Sequence, residues 1–212
     1  MGRIGKRPGR ARRVVVKEHK LERALIKHYD ANLTYYSPAS DTIFDIMKKV
    51  SAPVEGSMLD VGCGDGRAYM YAKRNEMSYV GVDYSQNRIS KAQDTYFAML
   101  QEDEIRPVFR HTDVYEALPN TNPGYELVIC FELLEHLEEP EVIWAEMKRI
   151  ATQLVVCTCP VNMPHKAHLQ VFVDEAALRD KFTDITSVTR IKCKTHGGKM
   201  REHFLFTYVP ED

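Results

Sequence analysis

From residue 57 onward, short continuous apolar runs alternate with longer segments whose apolar residues recur every three or four positions. Runs of the first kind at 57–61, 78–82, 107–111, 126–131 and 153–158 predict buried strands. Segments of the second kind predict helices at 66–75, 85–100, 140–150 and 174–181. Ser85 and Asp174 are suited to cap the second and fourth of these, and Pro140 stands in a first turn where its missing N–H costs nothing. Two further strands, at 185–193 and 202–209, flank His196-Gly197-Gly198, a segment suited to a hairpin turn. Alternating strands and helices with continuous apolar strands predict an α/β fold: a doubly wound, mostly parallel seven-stranded sheet closed by an antiparallel hairpin.

Ahead of this region, helical spacing is visible at 17–30 and 40–51, with a break at Tyr35-Tyr36-Ser37-Pro38. The second of these helices has Ile43, Phe44, Ile46, Met47 and Val50 on one face. No internal repeat or Ser/Gly-rich linker divides the chain. The expected organisation is a basic arm over 1–16 and a single domain over 17–212 whose first helices, 17–51, form a lid.

Charge alters the picture only at the start. Residues 1–30 carry ten Lys or Arg and three acids, a net of +7, so the rest of the 212-residue chain is near −8. The first thirteen residues hold six basic residues and no acid. Such a segment suits either a polyanion-binding arm or a solubilising tail. No apolar run approaches the ~20 residues needed to cross a bilayer, and no apolar stretch follows the basic start, so a cytoplasmic protein without membrane association is expected. The five cysteines form no C-x-x-C pair and are expected to be reduced and structural.

The segment Met58-Leu-Asp-Val-Gly-Cys-Gly-Asp-Gly-Arg67 carries the most chemistry. It predicts a strand, a turn with Gly62, Gly64 and Gly66, and then a helix. Its spacing is G-x-G-x-G, not the G-x-G-x-x-G of dinucleotide sites. Asp60 and Asp65 would repel a pyrophosphate and welcome a cation. Asp83 ends the second strand, where a carboxylate accepts ribose hydroxyls. Asp113 follows the third strand, within reach of an adenine amine. A ligand with an adenosine, an ammonium and a sulfonium satisfies all of these, which points to S-adenosylmethionine.

The motifs MLDVGCGDGRA, YVGVDYS, FRHTDVYEALP, YELVICFELLEHLEEP and QLVVCTCP, in that order over residues 57–182, resemble the class I S-adenosylmethionine-dependent methyltransferases. The resemblance implies a Rossmann-like fold and methyl transfer. It implies that Asp60, Gly62 and Gly64 contact the methionine part, that Asp83 in its motif with Tyr84 holds the ribose, that Asp113 and Val114 flank the adenine, and that Phe131 faces the methyl group. Tyr36, in the predicted lid, is a further candidate at the methionine end.

Glu132, Glu135 and His136 follow the fourth strand, and His165 and His168 follow the fifth, all at the carboxyl edge where ligands sit in such sheets. E-x-x-E-H with a later histidine is similar to metal-dependent small-RNA 3′-end 2′-O-methyltransferases. It also resembles the matching segment of ubiquinone-biosynthesis O-methyltransferases, which are of the small-molecule type. The interval from His136 to His165 or His168 is shorter than in the RNA enzymes, so no metal is expected. The loop containing His165 and His168 resembles the H-L-x-x-F segment of small-molecule members. His136, His165 and His168 are the candidate catalytic residues, able to take a proton from an acceptor.

The expected acceptor is a small molecule, through oxygen, since no N-P-P-[YF] motif follows the fourth strand. Alternatives are an RNA 2′-O- or other nucleic-acid methyltransferase, for which the basic arm speaks, and a non-catalytic cofactor-binding subunit. Oligomeric state is not legible in the sequence.

Overall fold

The structure, a computed structural model, describes residues 40–50, 54–194 and 200–211. The arm, the predicted helix at 17–30, Tyr36 and the His196-Gly197-Gly198 turn lie outside the described residues.

Seven strands form one sheet: β1 (Ser57–Val61), β2 (Ser78–Asp83), β3 (Val108–His111), β4 (Tyr125–Phe131), β5 (Ala151–Pro160), β6 (Ser187–Lys194) and β7 (Met200–Tyr208). Their order is β3-β2-β1-β4-β5-β7-β6. The pairs among β1 to β5 are parallel, and β7 runs antiparallel between β5 and β6. This is the doubly wound sheet with a closing hairpin that the apolar pattern predicts.

The helices are α1 (Ser40–Val50), α2 (Tyr69–Arg74), α3 (Gln86–Phe97), α4 (Val114–Ala117), α5 (Pro140–Ile150) and α6 (Glu175–Lys181). Because side chains alternate across a strand, each face of the sheet has its own core. One face packs Met58, Tyr79 and Ile129 against α1, α2 and α3 through Ile43, Ile46, Tyr69, Ala72, Ile89 and Tyr96. The other packs Leu59, Val61 and Val128 against α5 and α6 through Ile143, Trp144, Met147 and Leu178. Trp144 is fully buried and donates its indole N–H to the Thr183 carbonyl at 2.7 Å, so the ring adds packing without leaving a polar atom unmet.

Several boundaries differ from expectation for identifiable reasons. α2 begins at Tyr69 rather than 66, because Gly66 has φ +76°, outside helical geometry. β5 extends to Pro160, beyond the predicted 158, because β7 pairs with it from Val155↔Tyr208 to Pro160↔His203. The one-turn helix α4, followed by a 3-10 turn at Leu118–Asn120, has no counterpart in the apolar pattern. Ser85 and Asp174 cap α3 and α6 as expected, accepting from the N–H groups of Arg88 and Ala177.

Candidate active site

Because β1, β2, β4 and β5 are parallel, the segments that follow them emerge at one edge of the sheet. The loop after β1 is held open by positive φ values at Gly62 (+78°), Gly64 (+54°) and Gly66 (+76°). A side chain at Gly62 would also collide: its Cβ would lie 2.9 Å from Leu133 Cδ2. The loop is anchored to the end of β2. Asp83 Oδ2 accepts the Gly64 N–H at 2.8 Å, and Oδ1 accepts the Ser85 N–H at 2.8 Å. Asp83 thus sets the position of the glycine loop and of the α3 cap together.

The two acids of the loop differ. Asp65 is ion-paired with Arg67 at 3.1 Å and Lys91 at 3.2 Å. Burial pushes its carboxyl up, but the two cations outweigh that and hold it below its ordinary value. Its charge is therefore met within the chain and gives no preference for a cationic ligand, contrary to the sequence reading. Asp60 is buried and accepts a hydrogen bond from Tyr79 Oη at 2.7 Å. Burial raises its carboxyl to about 7; the tyrosine bond opposes this and the Asp83 charge adds to it. Gly81 is the register partner of Asp60 on β2, and its lack of a side chain makes room for this cluster. A Cβ there would stand 2.8 Å from Cys63 Sγ and 2.9 Å from Tyr79 Oη.

The other predicted cofactor residues are placed as follows. Asp113 caps α4, accepting the Tyr115 N–H at 2.8 Å, and Val114 is buried. Tyr84 is exposed and meets the His111 ring edge-on at 6.1 Å. Phe131 closes β4 and is buried in the same core as Tyr79. The four described cysteines outside β6, Cys63, Cys130, Cys157 and Cys159, are free and buried, in keeping with a structural role.

The segment after β4 is unusually constrained. Glu132 has φ +56°, a conformation L-residues rarely adopt. It is held there from three directions: its N–H donates to the Thr158 carbonyl at 3.1 Å, Oε1 accepts from Thr158 Oγ1 at 3.0 Å, and Oε2 lies 3.0 Å from His203 Nε2. A 3-10 turn at Leu134–His136 follows and brings Glu135 and His136 inward. The chain after β5 then folds onto that turn. The Glu135 carbonyl accepts N–H bonds from Leu169 at 2.8 Å and Gln170 at 3.0 Å, while Gln170 Nε2 donates to the Leu137 and Glu138 carbonyls at 3.1 Å each.

This stapling brings the three predicted histidines together. The rings of His136 and His168 are 4.8 Å apart, and those of His165 and His168 are 5.3 Å apart. Nδ1 of His136 faces the Ala167 carbonyl at 2.8 Å, and Nδ1 of His168 faces the Met163 carbonyl at 2.7 Å. A carbonyl only accepts, so both Nδ1 atoms carry the hydrogen. His165 is the opposite tautomer when neutral, since its Nδ1 accepts the Ala167 N–H at 3.2 Å. Burial lowers His136 to about 3 and also lowers His168. Glu135 is pushed well above the usual carboxyl range, by burial first and the nearby Glu132 charge second. Sequence reasoning missed Tyr79 and His203. The one available signal for His203 was a polar residue at a strand position preceding Phe204-Leu205-Phe206.

Residues 59–156 match a methyltransferase domain family. The chain is 29% identical over 113 residues to the ubiquinone biosynthesis O-methyltransferase of Rickettsia bellii, covering 53% of this chain and 45% of that protein. It is 32% identical over 98 residues to the ajmaline N-methyltransferase of Rauvolfia serpentina, covering 45% and 32%. Among solved structures, it resembles magnesium protoporphyrin IX methyltransferase from Synechocystis with bound S-adenosylmethionine. That likeness has a TM-score of 0.60 at 16% identity over 91% of this chain and 86% of the other. Residues 59–156 thus carry a methyltransferase domain, and the chain is similar to S-adenosylmethionine-dependent methyltransferases of class I. It spans about half the length of the Rickettsia relative.

Proposed function

We propose that this chain transfers a methyl group from S-adenosylmethionine to a hydroxyl oxygen of a small molecule bound beside the histidine cluster. One observation carries the reading. The glycine loop and the post-β4 segment touch, with Leu133 filling the space a Gly62 side chain would need. The cofactor loop and the Glu/His cluster are thereby neighbours on one sheet edge.

The residues fit the cofactor. Positive φ at three glycines leaves backbone open to close approach by a ligand. A carboxylate oxygen accepts more than one hydrogen bond, so Asp83 can hold ribose hydroxyls while still bonded to Gly64 and Ser85. Asp60, Gly62 and Gly64 take the methionine part, Asp113, Val114 and Tyr84 line the adenosine side, and Phe131 faces the methyl group. Tyr36, which lies outside the described residues, is a further candidate at the methionine end. The cofactor supplies an electrophilic methyl on a sulfonium. The protein supplies in-line positioning of the acceptor and management of its proton. His168, with hydrogen on Nδ1, offers Nε2 to the acceptor as a proton-accepting edge, and His136, lowered to about 3 by burial, packs against the His168 ring and positions it. His165, with hydrogen on Nε2, is a donor to the same oxygen. Support for oxygen comes from the ubiquinone-biosynthesis relatives, and Cys130-Phe131-Glu132-Leu133 stands where enzymes that methylate the amino groups of adenine or glutamine have N-P-P-[YF].

Incubating the full chain with deuterium-labelled cofactor and separate panels of phenols and catechols, amines, RNA and DNA tests this. The expected product is a methyl ether in the phenol panel, unchanged in yield when residues 1–13 are deleted. The basic arm supports a second reading, in which the acceptor is nucleic acid. That reading predicts labelled RNA or DNA, and binding whose salt dependence flattens on deletion, since each phosphate contact contributes a slope of roughly −0.7 to −0.9. Cofactor binding with no transfer in any panel would leave the non-catalytic reading.

A further inference from the structure

We infer that Asp60 and Tyr79 form a buried proton-holding pair beside the glycine loop, which releases its proton to solvent when a cationic ligand occupies that loop. The inference rests on the reading that the loop takes the methionine part of the cofactor. It gives Tyr79 a positioning role.

Register builds the pair. Asp60 stands opposite Gly81 on β2, two residues before Gly62. Tyr79, two residues before Gly81, shares its face of the sheet. Its phenol reaches over the glycine to Asp60 Oδ2 at 2.7 Å. Gly81 leaves the room for this, because a Cβ there would stand 2.8 Å from Cys63 Sγ and 2.9 Å from Tyr79 Oη. The Tyr79 ring is fixed in turn by Tyr69 and Phe109, each with its centroid 5.5 Å away. Asp60 is 4% exposed and Tyr79 2%. A charge at that depth is costly unless an opposite charge meets it.

No lysine or arginine of the described residues is among the groups that act on Asp60. Those groups are Tyr79 and Asp83, both from β2. The Asp60 charge acts in turn on Cys63 in the loop, Tyr96 on α3 and Cys130 on β4. The nearby cations are placed elsewhere: Arg67 and Lys91 pair with Asp65, and Arg88, buried on α3, stands at the Ser85 cap. Burial raises the Asp60 carboxyl to about 7, opposed by the Tyr79 bond and aided by the Asp83 charge. Burial also pushes Tyr79, Cys63 and Cys130 well above their usual values and Tyr96 to about 12. Within this cluster Asp60 is the raised group that titrates near neutrality. With the loop empty, its carboxyl holds the proton. An ammonium at the loop favours the carboxylate; Tyr79 then donates to it and the proton passes to the buffer. Cofactor affinity consequently falls as pH drops below about 7.

Calorimetry of S-adenosylhomocysteine binding to the full chain, in buffers of different ionisation enthalpy, counts the protons released. Wild-type protein should release close to one proton at about pH 6 and none at about pH 8.5, and bind up to about tenfold more weakly per pH unit below 7. Asp60→Asn should lack the release at the lower pH. Tyr79→Phe removes the bond that opposes burial, so its release should persist to higher pH than in the wild type. 5′-Methylthioadenosine, which lacks the amino-acid part, should bind without release. An infrared difference spectrum should show a protonated carboxyl band lost on adding S-adenosylhomocysteine, and no such loss in Asp60→Asn. Release that is equal at both pH values, or unchanged in Asp60→Asn, overturns the inference. So does equal release on binding methylthioadenosine, and a Tyr79→Phe profile matching the wild type removes the role of Tyr79. Wild-type binding with no release sinks this inference and leaves the cofactor reading standing; no binding at any pH sinks both.

Discussion

Glu132 Oε2 and His203 Nε2 are 3.0 Å apart, joining the end of β4 to β7 across β5. Both side chains are largely buried, and Glu132 is at the same time held at φ +56°. The contact secures a strained residue one position after Phe131, where the cofactor edge meets the histidine cluster. His203→Ala should lower stability by about 1–3 kcal/mol, the cost of leaving a mostly buried hydrogen-bonding group without its partner. Chemical denaturation measures it. A midpoint equal to that of the wild type would mean that Thr158 alone fixes Glu132.

Asp83→Ala should weaken S-adenosylhomocysteine binding by roughly 1.5–3 kcal/mol, the scale of hydrogen bonds to a charged group. The bonds from the Gly64 and Ser85 N–H groups are lost with it, so part of the effect comes from a loosened loop. Calorimetry on the folded variant provides the number. Wild-type affinity would remove Asp83 from the site.

Gly62→Val should abolish cofactor binding. A branched side chain at φ +78° is strained whatever the space, and its Cβ would meet Leu133 at 2.9 Å. Leu133→Ala in the same chain relieves the collision but not the backbone strain, so it should restore little. Full recovery by the double variant would show that crowding, not backbone geometry, was the cause.

Asp60 should make the cofactor-free protein less stable as pH rises from about 4 to about 7. Its folded-state carboxyl is raised to about 7 from 3.8 by burial. The native state therefore holds a proton that the unfolded chain releases in that window, and stability falls with pH until both states are ionised. A carboxyl held that far above its ordinary value changes stability across the window by about 4 kcal/mol at most. Asp60→Asn cannot titrate, so its melting temperature should decline less between pH 5 and pH 8 than that of the wild type. Parallel declines would show that Asp60 is ionised in the native protein throughout.

Much of the fold was legible because strands and helices carry different apolar periods. The runs at 57–61 and 126–131, and the Ser85 and Asp174 caps, are local signals that tertiary packing did not need to override. The glycine loop was equally readable, since three glycines between a strand and a helix require unusual backbone. Local sequence also determined that Asp83 would end a strand at the ligand edge.

Only the tertiary structure decided which charges are spent inside the chain and which residues meet. Asp65 looked like a ligand-facing acid, but Lys91, 26 positions later, lies one helix away and joins Arg67 in pairing it. Tyr79 reads as an ordinary strand aromatic, yet the register that sets Gly81 beside Asp60 gives it a buried carboxylate to bond. His203 comes to Glu132 because β7 inserts antiparallel between β5 and β6. Glu135, His136 and His168 converge because backbone hydrogen bonds fold one loop onto another. Periodicity reports which way a side chain faces within its own element; the distance between side chains on different elements is set by register and loop closure, which no local window contains.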